Sequence, residues 1–180
     1  MTDPFWKNFR RQSHKADWWQ YDQPTNYFVT ICTKDRGHYF CDIRKGKMEF
    51  SKAGVLANVI WQELPRFAKN VEIGPFVIMP NHLHGIIRLK TPSQERPAKQ
   101  ESHIDNIKMS EISPTTGSLP VAIRLFKGTV TRHARRLWIP LAWQGRYHDR
   151  IIRDSNEYAK LSQYIKENPV KWDQDELNTK

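Results

Sequence analysis

The chain has 180 residues, 38% of them hydrophobic and 12% aromatic, which suits one domain with its own core and leaves little room for a second. Twenty-nine Lys and Arg against nineteen Asp and Glu give a net charge of +10 and an isoelectric point near 9.7, an excess that points to a polyanion, nucleic acid first, rather than to merely solvated lysines. Two cysteines, Cys32 and Cys41, exclude a disulfide scaffold, and with no signal peptide or membrane-length apolar run in view the expected location is the cytoplasm, near nucleoid DNA and away from any membrane.

Residues 1–25 form a basic aromatic arm in which Phe5, Trp6, Phe9, Trp18, Trp19 and Tyr21 alternate with Lys7, Arg10, Arg11, His14 and Lys15. Such faces suit base stacking and phosphate contact, or packing on the domain itself. Tyr27 to Thr33 is β-branched and aromatic and reads as a buried strand, closed by the turn Asp35-Arg36-Gly37. A second strand is expected near His38 to Ile43, followed by the turn signal Lys45-Gly46-Lys47. Ser51 caps a helix toward Ala68 on the spacing of Val55, Val59, Ile60 and Leu64, with Pro65 ending its regular part. Val71 to Arg88 reads as two strands around Pro80-Asn81-His82-Leu83-His84. From about 91 to 120 the chain turns polar, as an insertion or long loop does. Order returns at Leu119 or Pro120, in a helix carrying Arg124, Lys127, Arg132, His133, Arg135 and Arg136 and ending at Trp138-Ile139-Pro140; so basic a surface suits a phosphate backbone. Trp143 to Arg153 is a turn and strand. Asp154 or Ser155 then caps a last helix, Asn156 to about Asn168, stopped by Pro169. The domain thus runs over 26–172, and 173–180 is a polar tail expected to fray.

On a strand, His82 and His84 project to one face while Leu83 turns into the core. Two neutral imidazoles side by side are half of a divalent-metal site, a pair of proton carriers, or two ordinary histidines. On the last helix Tyr164 and Asn168 are one turn apart and share a face. The amide oxygen of Asn168 is a suitable third ligand for Mg²⁺ or Mn²⁺, leaving positions open for phosphate oxygens, and the tyrosine beside it suits nucleophilic attack on a phosphodiester. The plain alternatives are a core tyrosine and a helix C-cap.

His82-Leu83-His84 after Val77-Ile78-Met79-Pro80-Asn81 resembles the HUH motif. The stretch Trp143 to Arg153, with Tyr164-Ile165-Lys166-Glu167-Asn168-Pro169 after it, is similar to the C-terminal signature of single-tyrosine HUH transposases, and within them most resembles the REP-associated tyrosine transposases and their insertion-sequence relatives. The likeness covers roughly residues 20–175. It implies an α+β, ferredoxin-like (RRM-like) sandwich with a central antiparallel sheet, the HUH endonuclease fold, its HUH strand in the middle and the tyrosine on a neighbouring helix. It implies cleavage and rejoining of single-stranded hairpin DNA through a 5′-phosphotyrosine link. By position, His82, His84 and Asn168 hold a divalent metal, Mg²⁺ or Mn²⁺, and Tyr164 is the nucleophile; Tyr147 ranks second and Tyr158 third. Arg124, Lys127, Arg132, Arg135, Arg136, Arg146, Arg150 and Arg153 are the expected DNA contacts. Monomer and homodimer both stay open. Two other functions compete: a DNA-binding module without cleavage, and a metal-dependent phosphodiesterase that uses water.

Overall fold

The computed structural model describes residues 24–44, 47–91 and 117–178; the aromatic arm up to residue 23, the polar insertion at 92–116 and the last two residues lie outside them. In order, the elements are β1 (Asn26–Cys32), the hairpin β2 (Cys41–Arg44) and β3 (Lys47–Phe50), α1 (Lys52–Gln62), α2 (Leu64–Phe67), β4 (Val71–Ile78), β5 (His82–Leu89), α3 (Leu119–Arg136), β6 (His148–Ile152) and α4 (Ser155–Glu167). The second strand starts later than the sequence suggests, at Cys41, because Phe40 spends its N–H on the Pro80 carbonyl and its carbonyl on the Ser51 N–H.

Six of the seven residues of β1 are buried, the mark of a strand covered on both faces. It pairs antiparallel with β5 on one side and β6 on the other, and β5 pairs antiparallel with β4, giving the order β4-β5-β1-β6. This is the α+β antiparallel sandwich expected, with the histidine strand inside the sheet. Pro75 sits where β4 shifts register between Ile73 and Phe76, on an edge strand where a missing N–H is tolerated.

The two faces carry separate cores. Tyr27, Val29, Ile31, Leu83 and Ile87 point to the face covered by α1 and α3, where Trp61, Leu64, Ile123, Phe126 and Val130 meet them. Gly85 makes room there, since a Cβ would lie 2.6 Å from the Trp61 ring. Phe28, Val77 and Ile86 point to the other face, covered by Leu161 and Ile165 of α4 and by Trp172. Ser51 caps α1 by accepting from the Gly54 N–H at 3.1 Å, yet Val55 and Val59 are half-exposed; the buried stripe runs through Ala53, Gly54, Ala57, Ile60 and Trp61 instead. Small residues let α1 approach closely, so the bulky valines fall on the outer side.

Residues 173–178, expected as a polar tail, lie against the domain. Trp172 is buried, Trp172–Gln174 forms a 3₁₀ turn, and the Asn81 side chain donates to the Leu177 carbonyl at 2.6 Å. Among the described residues no helix is long and apolar enough to cross a membrane.

Candidate active site

Antiparallel pairing puts directly opposed residues on the same face, and the register sets Phe28 against Ile86, Thr30 against His84 and Cys32 against His82. The period of two therefore delivers both imidazoles to the α4 face, where they are fully buried. Their ring centroids are 4.5 Å apart; His84 stacks on Phe28 at 5.2 Å and meets Tyr164 at 5.3 Å. Tyr164 gets there because Asp154 caps α4 through the Glu157 N–H at 2.8 Å and Leu161 and Ile165 seat the helix on the sheet.

Hydrogen bonds fix how each ring is turned. Asn81 uses its amide N–H₂ on Leu177, so its Oδ1 accepts from His82 Nδ1 at 2.8 Å. That leaves His82 Nε2 buried, with its lone pair bare and no hydrogen-bond partner among the described residues. Asn168 Nδ2 donates to Tyr164 Oη at 2.7 Å, so the phenolic proton faces His84 Nε2, 3.1 Å away. His84 then carries its proton on Nδ1, which meets Thr30 Oγ1 at 2.8 Å. Both rings are held by Nδ1 and present Nε2 to the same space, the arrangement that outer partners impose on metal-ligating histidines.

Burial, the neighbouring imidazole and the Arg36 charge hold His82 well below the ordinary histidine range; burial and Arg36 bring His84 down to about 3. Both are neutral ligands at physiological pH. Burial, with the charge of Asp175, pushes the Tyr164 hydroxyl above its usual range despite the Asn168 bond. Burial disfavours the tyrosinate and the imidazolium alike, so passing the Tyr164 proton to His84 is uphill. His84 is thus no base for Tyr164, and ionising that hydroxyl requires added positive charge.

A third donor comes from the C-terminal turn. His82, His84 and Asp175 each offer a ligand atom within 4.8 Å of the others. Burial raises the Asp175 carboxyl pKa, against the lowering effect of the Leu177 N–H, which donates to its Oδ1 at 2.7 Å, and of the nearby Asn168 side chain. The Oδ1 of Asn168 is buried and has no hydrogen-bond partner among the described residues. The two imidazoles and the partly buried Asp175 carboxylate are a donor set that fits a divalent cation.

No protein-family model matches the chain. An uncharacterized protein of Haemophilus influenzae (strain Rd) is 35% identical over 176 residues, which is 93% of this chain and 92% of that protein. The chain belongs to that protein's family. Among solved structures, a REP-associated tyrosine transposase bound to a REP hairpin superposes over 87% of this chain and 73% of its own, with a TM-score of 0.55 and 17% identity. The fold is that of the REP-associated tyrosine transposases.

Within that transposase fold, His82, His84, Tyr164 and Asn168 come together as the sequence placed them. Tyr147 does not join them: it packs with the core on the α1 and α3 face, across the sheet. Tyr158 lies at the other end of the strands, its hydroxyl over Gly74 and beside Arg88, and the six residues from His82 to Arg88 span about 20 Å. Arg124, Lys127, Arg132 and Arg135 line one groove of about 780 Å³ along α3, closed by Trp143 and Tyr147. Burial lowers the Lys127 pKa, and its ammonium donates to the Gln144 carbonyl at 2.5 Å. Arg136 and Arg146 are exposed outside that lining. Arg150 pairs with Glu157, and Arg153 borders a different cleft with Asp154 and Tyr158. Sequence reasoning missed Thr30, Asn81 and Asp175. Parity with the histidines was the available signal for Thr30, and adjacency for Asn81; nothing local marks Asp175.

Proposed function

We propose that this protein is a metal-dependent DNA strand transferase that cleaves and rejoins single-stranded hairpin DNA through Tyr164. The observation that carries this reading is the 3.1 Å approach of Tyr164 Oη to His84 Nε2, which joins the tyrosine helix to the histidine pair in one buried site. His82 and His84 would hold the metal, with Asn168 and Asp175 as oxygen donors, and two nitrogen donors suit Mn²⁺ better than Mg²⁺, which prefers oxygen. The bound cation supplies positive charge that favours the phenolate and polarises a phosphoryl oxygen.

The chain's own residues do the rest. Asn168 orients the Tyr164 hydroxyl, and α4 holds its oxygen at the site. Tyr164 gives up its proton to solvent as Oη bonds to phosphorus; the bond from phosphorus to the 3′ oxygen breaks, and that oxygen takes a proton from solvent and leaves as a 3′-hydroxyl. The 5′-phosphate stays on Tyr164, and attack by a 3′-hydroxyl reverses the step and rejoins the strand. Hairpin DNA is the substrate proposed because the transposase of the same fold is bound to a REP hairpin, and because the α3 groove is lined by Arg124, Lys127, Arg132 and Arg135.

The test is incubation of the protein with labelled hairpin DNA, with Mn²⁺, Mg²⁺ or chelator, followed by a denaturing gel and peptide mapping. A metal-dependent adduct on Tyr164 that Tyr164→Phe abolishes is expected. Nicking without adduct would instead identify a phosphodiesterase using water, and binding without nicking a DNA-binding module.

A further inference from the structure

We infer that Arg36 is a further catalytic residue, whose guanidinium takes the nonbridging oxygens of the scissile phosphate; the inference rests on the strand-transfer reading above. The sequence marks Arg36 only as the middle of a turn. In the structure Asp35 and Arg36 both adopt left-handed backbone, with φ of 52° and 57°. Gly37, the residue suited to that conformation, sits beside them at −59°. Two successive non-glycine residues there cost on the order of 1 kcal/mol each or more, and persist only where the surroundings dictate them. Here they do: the Thr33 hydroxyl lies 2.8 Å from the Gly37 carbonyl and 2.9 Å from that of Asn81, with one hydrogen to share between them, the Thr33 N–H donates to Asn81 at 2.9 Å, and the Lys34 N–H donates to Ala142 at 3.0 Å. The turn is bolted to the residue that orients His82.

That conformation aims the guanidinium at the site. Its Nη1 donates to Cys32 Sγ at 2.7 Å, and Cys32 is the strand partner of His82 on the same face. A thiol is a weak acceptor, and an arginine has five donors. Among the described residues Arg36 makes no ion pair with a carboxylate and no other hydrogen bond, although its charge is felt by His82, His84 and Asp175. A fixed cation beside two imidazoles that would hold a divalent cation meets one carboxylate in that cluster, that of Asp175, so the site would still call for a further anion. A phosphodiester is such an anion, and its two nonbridging oxygens match the guanidinium fork. As Tyr164 Oη bonds to phosphorus and the 3′ oxygen departs, Arg36 holds the charge on those oxygens.

The experiment compares the full chain with Arg36→Ala, Arg36→Lys and Tyr164→Phe. Two readings are taken: single-turnover adduct formation on hairpin DNA with Mn²⁺, and anisotropy binding of the same DNA in chelator across salt. Arg36→Ala is expected to slow adduct formation about 10²- to 10³-fold, the loss typical of one oxyanion donor, while lowering the log–log salt slope by about 0.7. Arg36→Lys, which keeps the charge and the turn, should recover part of the rate. Added guanidinium ion should rescue Arg36→Ala but not Tyr164→Phe, which a merely structural arginine would not permit. An Arg36→Ala or Arg36→Lys protein that forms adduct at the wild-type rate overturns the role. Should the wild type form no adduct, the strand-transfer reading fails, and an unchanged salt slope in Arg36→Ala overturns the phosphate contact separately; a lowered slope in that variant would sustain it.

Discussion

Replacing His84 with Asn removes a titrating group while leaving an amide where Nδ1 meets Thr30 Oγ1 at 2.8 Å. In the folded protein burial keeps His84 neutral down to about pH 3, whereas in the unfolded chain it takes up a proton below about 6.5. The folded state therefore binds fewer protons between those limits. Its stability is complete above about 6.5 and is lost as the pH falls toward 3. Lowering the pH to about 5 stabilises the unfolded wild-type chain by RT ln(1 + 10^1.5), about 2 kcal/mol, through this residue alone. His84→Asn lacks that term, so its deficit relative to wild type should shrink by about 2 kcal/mol between roughly pH 7.5 and 5. Urea unfolding in chelator reads this as a convergence of midpoints by about 1 M, for a slope near 2 kcal/mol per M. Carboxylates titrating over the same range cancel in the difference. A gap that stays constant would refute the claim that the site holds this imidazole uncharged.

Thr30→Val leaves the His84 Nδ1–H buried without its acceptor, so a loss of about 1–3 kcal/mol in urea unfolding is expected, with Mn²⁺ affinity by calorimetry falling about 10- to 100-fold. Mn²⁺ at about one hundred times its dissociation constant should raise wild-type stability by about 2.7 kcal/mol in thermal or urea unfolding, an increment that His82→Ala should lack. Asp154→Ala removes the 2.8 Å cap on Glu157 N–H and should cost about 1 kcal/mol, with the amides of the Tyr164 helix exchanging faster by hydrogen-exchange mass spectrometry. Gly54→Ala places a Cβ 1.9 Å from the Phe40 carbonyl oxygen, a clash with backbone that should leave the protein largely insoluble on expression.

The sequence carries local geometry well and chain return poorly. His82 and His84 could be placed on one face because a strand has a period of two, and Tyr164 with Asn168 because a helix stacks residues four apart; the sheet then joins the pairs through contacts 80 residues apart. Asp175 could not be found this way. It stands in a polar segment with no periodicity, and only the docking of Trp172 and the Asn81 bond to Leu177 bring it to the histidines. Arg36 was legible as a turn, but its direction depends on φ angles that no residue type in Asp-Arg-Gly dictates. The seven arginines and one lysine chosen for their charge divide for a simpler reason: charge density is a property of the sequence, while the face it lands on belongs to the fold. The misread valines of α1 make the same point, since Val55 and Val59 fit a helical stripe yet the tight packing of Ala53, Gly54 and Ala57 claims the inner side.

The two cores on opposite faces of one sheet also bear on how such a protein can change. The histidine site answers to Phe28, Ile86 and α4; the groove along α3 answers to Phe126, Trp143 and Tyr147. Layers packed on either side of a sheet lie about 10 Å from it, and substitutions that far apart without shared partners usually add. The arginines along α3 are therefore open to drift, one at a time, while the buried imidazoles keep their geometry. Under the proposed strand-transfer reading, the sheet would let recognition evolve without retuning the chemistry.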